Sequence, residues 1–223
     1  MSTYRHGRHE YGQNFLTDQS IIAAITRLAV ATEGPIIEIG PGDGALTTPL
    51  ARLGRPVTAI EIDARLARRL SERLPSHVDV VSDDFLIYRL PTYPYVLVGN
   101  LPFHQTTAML RRMLHAPAWT NAILLVQWEV ARRRAGVGGA TMMTAQWAPW
   151  FEFTLHARVP SRAFTPRPGV DGGILSIYRL KHPLLPSEQR RQFHALVHRV
   201  YTGPGCGLAQ ILARNTALGS ARA

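Results

Sequence analysis

Pro35-Ile36-Ile37-Glu38-Ile39-Gly40-Pro41-Gly42-Asp43-Gly44 is an apolar run interrupted by Glu38 and closing on three glycines at alternate positions, with Asp43 between the last two. The run Pro35–Ile39 reads as a buried strand, and the glycines as the tight turn by which it enters a helix. Such a turn lets a ligand approach the backbone, and a helix start offers unpaired N–H groups to an anionic group. The spacing is Gly-x-Gly-x-Gly. Ala45 stands where a dinucleotide fingerprint places its third glycine, which argues against a nicotinamide cofactor.

Outward from this turn, apolar β-rich runs alternate with stretches that read as helices. Pro56–Ile62, Val78–Ser82, Tyr95–Gly99 and Ala122–Gln127 are further expected strands. The clearest helix follows Asp63, an expected N-cap, with Leu66, Leu70 and Leu74 along one face. Strand–helix–strand units of this length wind right-handed into a doubly wound parallel sheet, its ligand crevice beyond the strand C-terminal ends. Near the end the rhythm changes. Phe153–Val159 and Gly172–Leu180 are joined by a proline-rich loop and are expected to pair antiparallel, giving seven strands with an antiparallel last one. A helix is expected from Ser187 to about Val200, then a break at Gly203-Pro204-Gly205 and another short helical piece. The expected organisation is a basic tail at 1–12, one catalytic domain at 13–181 and a short helical appendage at 182–223.

The 223 residues are 46% hydrophobic and 18% charged, a globular balance. No run approaches the ~18 apolar residues of a membrane span, and no apolar segment follows the basic N-terminus as in a secretory signal. A cytoplasmic protein is expected. One cysteine excludes an internal disulfide framework or a multi-thiolate metal site, and the histidines lack ligand spacing, so no metal is expected. The formal charge is +10, and Lys181 is the single lysine. Compositional bias accounts for arginine over lysine but not for the excess of cations, which favours a polyanionic partner.

Acids recur where the crevice should lie. Glu38 precedes the glycine turn; Glu61 ends the second expected strand, placed to accept ribose hydroxyls; Asp83 and Asp84 follow the third, within reach of an adenine amine. The series describes a pocket for an adenosyl group. The fourth strand ends in Asn100-Leu101-Pro102-Phe103. An aromatic amine is a poor nucleophile because its lone pair is delocalised, so acceptors that favour a pyramidal nitrogen help it attack a methyl sulfonium. Asn100 offers a side-chain carbonyl, Leu101 a backbone carbonyl fixed by Pro102, and Phe103 a face for a flipped-out base.

Together these motifs resemble the Erm-type ribosomal RNA adenine methyltransferases, related to the Ksg-type enzymes, from about Gln13 to Leu180. Gln13-Asn14-Phe15-Leu16 resembles the family's N-terminal cofactor motif, Glu38 to Gly44 its glycine loop, and Glu61-Ile62-Asp63 its ribose motif. Asp84-Phe85-Leu86 is similar to its adenine-contacting motif and Asn100 to Phe103 to its catalytic one, where Phe103 replaces a frequent tyrosine. The resemblance implies a Rossmann-like class I methyltransferase using S-adenosylmethionine. Its cofactor residues would be Gln13, Asn14, Leu16, Glu38, Gly40, Gly42, Glu61, Asp84 and Asn100, the last also holding the target amine. Val126 to Arg134 before the glycines at 136–139 resembles an RNA-facing basic loop, with Arg132, Arg133 and Arg134. In Ala163 to Pro168, Phe164 would be a second aromatic near the base, and Arg162 and Arg167 would hold phosphates.

The resemblance further implies N6 methylation of a 23S rRNA adenine, giving macrolide-type resistance; a monomer is expected because nothing in the sequence demands a dimer. A Ksg-type enzyme of the small subunit is the nearer alternative. A non-catalytic RNA-binding or assembly factor is the other, against which the intact Asn100–Phe103 motif argues. The family's usual C-terminal helical domain is larger than 182–223, so either the basic face of the catalytic domain is expected to dock the RNA or the targets are looser.

Overall fold

The computed structural model describes residues 14–203. In chain order the elements are β1 (Phe15–Leu16), α1 (Gln19–Val30), β2 (Ile36–Ile39), α2 (Thr47–Ala51), β3 (Val57–Glu61), α3 (Ala64–Ser71), β4 (Val78–Ser82) and β5 (Tyr95–Asn100). There follow α4 (Thr106–His115), β6 (Trp119–Gln127), α5 (Trp128–Arg134), α6 (Met142–Trp147), β7 (Phe151–Val159), β8 (Phe164–Thr165), β9 (Gly172–Arg179) and α7 (Arg190–Thr202). Seven strands form one sheet in the order β4-β3-β2-β5-β6-β9-β7. Parallel pairing joins β4 through β6, whereas β9 runs antiparallel between β6 and β7.

The central strands are apolar on both faces because helices cover both. Side chains alternate by the two-residue period. Ile37, Ile39, Leu97, Leu124 and Leu175 face Met109, Leu110 and Met113 of α4 and Trp147 of α6. Their neighbours Ile36, Val96, Val98, Ile123 and Ile174 face Ile22, Ile25 and Ala29 of α1 and Leu50 of α2. The chain order reverses direction between β2 and β5, so their C-terminal ends open the crevice at a topological switch point.

Asp63 caps α3 as expected, its carboxylate accepting the N–H groups of Arg65 and Leu66. The helix stops earlier than the leucine spacing suggests. Leu74 precedes Pro75, which disfavours a helical backbone, and lies half-buried beyond the C-cap Glu72. Asp63→Ala should cost about 1 kcal/mol, a melting-temperature drop of roughly 2–4 °C. A thermal melt followed by circular dichroism checks this.

Two expectations change and one feature is new. Residues 83–94, between β4 and β5, are not helical: Asp84 takes the Leu86 N–H with its side chain, and Pro91 and Pro94 lack donors. The expected basic loop after Val126 is the end of β6 and then helix α5, with the turn confined to the glycines beyond Arg134. A two-stranded antiparallel sheet of β1 with β8, unforeseen in the sequence, pairs Phe15 with Thr165 and Leu16 with Phe164. Two residues per strand are too few for a periodic signal. Of the appendage, α7 packs on α6, and its Phe193 reaches the core. The tail at 1–12 and the second C-terminal helix lie outside the described residues, as does Gln13.

Candidate active site

The glycine turn requires its glycines. Gly40 and Gly42 hold φ of 63° and 56°, the left-handed region that favours glycine, and a Cβ on Gly42 would lie 2.9 Å from the Phe15 ring. Phe15 therefore rests on the turn from the β1 side. Gly40 N–H donates to the Ile60 carbonyl, tying the turn to the end of β3.

Glu61 ends β3 with 1% of its surface exposed. Its carboxylate accepts the N–H of Gly42 at 2.9 Å and of Asp63 at 3.0 Å. Burial raises its pKa, and those two hydrogen bonds pull the other way. Glu38, one residue before the end of β2, is equally buried, and burial pushes its carboxyl up to about 8. Hydrogen-bonding groups of the adjacent Thr47 oppose that rise and the neighbouring Glu61 adds to it, but neither Glu38 Oε2 nor the buried Thr47 hydroxyl has a partner at good hydrogen-bond geometry. A buried carboxyl oxygen left unpaired is costly and marks a place for a donor. Asp83 N–H donates to the Glu61 carbonyl, so the third acidic loop is pinned to the second strand end.

At the end of β5, Asn100 donates Nδ2 to the Asn14 carbonyl at 2.8 Å. A carbonyl only accepts, so this bond fixes the carboxamide orientation and leaves Oδ1 as the free end. Leu101 N–H donates to the Leu125 carbonyl, and the Pro102 carbonyl accepts from Gln105 N–H and the Thr106 hydroxyl. The turn is thus held on both sides of Leu101. Phe103 is half-buried and meets Phe164 edge-on, ring centres 6.0 Å apart at 73°.

One cavity is lined by Asn14, Leu16, Glu38, Gly40, Gly42, Glu61, Asp84 and Asn100 through Phe103. It gathers every described residue assigned above to the cofactor or the catalytic motif. It also includes Phe15, Ile62 and Met109, to which the sequence assigned no role; Ile62, 40% exposed just past the Glu61 carboxylate, is the one of them with a visible signal.

The outer residues divide differently. Phe164 is only 2% exposed and backs Phe103, so it is not placed to stack on a base itself. Arg132 pairs with Glu129 at 3.1 Å, Arg133 lies 3.9 Å from the same carboxylate, and Arg162 is exposed. Arg134 turns inward to the Thr141 hydroxyl, which corrects its assignment to an RNA-facing trio. Arg167 donates to the Ser161 hydroxyl at 2.9 Å. Among the described residues no three histidine, cysteine or acidic side chains come together as a metal site.

Comparison with known proteins bears on this geometry. An rRNA adenine N-6-methyltransferase of Corynebacterium diphtheriae is 62% identical over 96% of the chain and 85% of its own length. The mycinamicin-resistance protein MyrB of Micromonospora griseorubida is 50% identical over 92% of the chain and 67% of its own length. The crystal structure of the 23S rRNA methyltransferase ErmE superposes with a TM-score of 0.85 at 36% identity, covering 92% of this chain and 85% of that one. The sheet order and antiparallel β9 are thus those of a methyltransferase fold. With residues 4–220 matching its pattern, the chain belongs to the ribosomal RNA adenine dimethylase family.

Proposed function

We propose that the protein methylates the exocyclic N6 amine of an adenine in 23S rRNA, using S-adenosylmethionine, and so confers macrolide-type resistance. The observation that carries the reading is the carboxamide of Asn100, oriented by the Asn14 carbonyl and lining one cavity together with two buried acids. The names of the relatives support the adenine and the ribosomal target, and ErmE and MyrB favour the large subunit and a resistance phenotype.

The cavity fits the cofactor by its own chemistry. Gly40 and Gly42 keep the backbone bare, Glu61 presents carboxylate oxygens at a strand end, and Glu38 Oε2 awaits a donor such as an ammonium group. Asp84 stands at the wall for an adenine amine. When bound, the cofactor supplies an electrophilic methyl on a sulfonium, which drives the reaction. The residues supply alignment. Asn100 Oδ1 and the Leu101 carbonyl accept the two amine hydrogens and favour a pyramidal nitrogen whose lone pair faces the methyl. Phe103, steadied by Phe164, stacks on the extruded base. The product amine releases its proton to water, so no general base is needed.

Glu38 gives this reading a pH signature. Its folded pKa of about 8 lies above the ordinary carboxylate value, so it is mostly protonated at neutral pH in the free protein. The stability associated with that proton is present at low pH and is lost as pH rises towards about 8. A bound ammonium group favours the ionised form. Cofactor binding near pH 7 is therefore expected to release up to about one proton, visible as a heat that differs between buffers of different ionisation enthalpy. The release should vanish in Glu38→Gln; buffer-independent heats in the parent protein would remove this role.

The reading is tested by transfer of labelled methyl to separated 23S and 16S rRNA, followed by nuclease digestion. N6-methylated adenine in 23S rRNA is the expected result. Label in 16S rRNA alone would move the activity to the small subunit, and label in neither would overturn the proposal.

A further inference from the structure

Beside the C-terminal half of α4, farther along the helix than its contact with the cavity, lies a second groove, of about 500 Å³, lined by Arg89, Leu90, Arg111, Arg112, His115, Ala116 and Pro117. Its lining has four basic side chains and no acid. None of the four takes part in an ion pair among the described residues. Arg112 is committed to the Phe85 and Tyr88 carbonyls at 3.3 and 2.6 Å, which satisfies donors without cancelling charge. Arg89, Arg111 and His115 are exposed.

The positive charge continues past the groove. Burial, then Arg111 and Arg133, hold Arg134 below the ordinary arginine value, and the charged neighbours that depress His194 are Arg190 and His115. A cationic seam thus runs from α5 across α4 to α7, with Glu129, 3.9 Å from Arg133, as the carboxylate at its α5 end. Like charges crowd together at a cost unless an anion from outside the chain offsets them.

We propose that this groove binds the phosphate backbone of the substrate RNA a few nucleotides from the target base. The inference rests on the RNA reading above and adds residues that it does not use. The geometry of α4 supports it. Gln105, at the helix N-cap, and Met109 line the catalytic cavity, while Arg111 and His115 share the exposed face farther along. At a ~1.5 Å rise per residue the helix is about 15 Å long, a span that a strand of a few nucleotides covers. A strand leaving the active site along α4 brings successive phosphates to Arg111 and then to His115 and Arg89. A continuous polyanion suits a row of cations better than a compact acidic ligand does.

The test uses the full chain in two assays: steady-state methyl transfer to a 23S rRNA fragment, and filter binding of that fragment over a range of salt. For Arg89→Ala/Arg111→Ala, KM for RNA should rise about tenfold with kcat held, and the log–log salt slope should fall by about 2. The Arg89→Lys/Arg111→Lys pair should retain most of both, because phosphate contact needs charge more than fork geometry. Calorimetric affinity for S-adenosylmethionine and the thermal melt should match the parent. Unchanged KM and slope would overturn the groove and leave the methyltransferase reading intact, as would a fall in kcat alone. A parent protein that methylates no rRNA would overturn that reading, and with it the ligand proposed here.

Discussion

Asn100→Ala is expected to lower the single-turnover rate of methyl transfer by on the order of 10³, since removing one preorganised polar group from a reacting centre costs about 10²–10³ in comparable sites. Two losses combine. The variant deletes the acceptor proposed to hold the adenine amine, and it frees the Asn14 carbonyl that the Asn100 carboxamide now ties down at 2.8 Å. Asn100→Asp separates the two. It keeps an oxygen towards the cavity but sets a second oxygen against the Asn14 carbonyl, so the acceptor survives while the anchor becomes a repulsion. If anchoring matters as much as accepting, both variants fail alike, with cofactor affinity in each changing far less than the rate. A fall of less than tenfold in Asn100→Ala would return the catalytic role to the Leu101 carbonyl and Phe103.

Much of this site is legible in the amino-acid sequence because its residues sit near the C-terminal ends of strands, and hydrophobic patterning marks the existence and order of such strands well even where it leaves their exact bounds loose. Once Pro35–Ile39, Pro56–Ile62 and Tyr95–Gly99 are read as parallel strands, Glu38, Glu61 and Asn100 fall at one edge of one sheet, and the cavity places them there. What patterning does not convey is depth. Glu61 reads in sequence as an acid on an open pocket wall, yet it is 1% exposed, because the glycine turn folds over it and donates Gly42 N–H. Nor does it convey the pairing of Phe15–Leu16 with Phe164–Thr165, two short strands from opposite ends of the catalytic domain. That pairing is what turns Phe164 inward behind Phe103 and brings Asn14 to Asn100. Adjacent arginines mislead for a related reason. Arg132, Arg133 and Arg134 project about 100° apart around a helix, so three neighbours in sequence cannot share one face, and Arg134 turns to Thr141.

The depth of Glu61 changes the expected result of replacing it. As a surface acid its loss should weaken the cofactor and spare the fold; as a buried one it should do both kinds of damage. Glu61→Ala removes the acceptor for two backbone N–H groups in an enclosed turn, at roughly 1–3 kcal/mol for each group left unsatisfied. A drop in melting temperature of several degrees follows for a chain of this size. Cofactor affinity should fall about 100-fold, the order expected for losing hydrogen bonds to a charged acceptor. The stability loss carries its own sign with pH. Because burial raises the folded pKa of Glu61, the parent is most favoured where the carboxyl is neutral and loses stability as pH rises through that folded value. The alanine variant lacks this dependence, so the gap between the two melts should narrow as pH increases. Calorimetric titration with S-adenosylmethionine beside melts at several pH values separates the effects. Lost affinity with an unchanged melt would mean that the glycine turn keeps its shape without the acid, leaving Glu61 a ligand-binding residue alone.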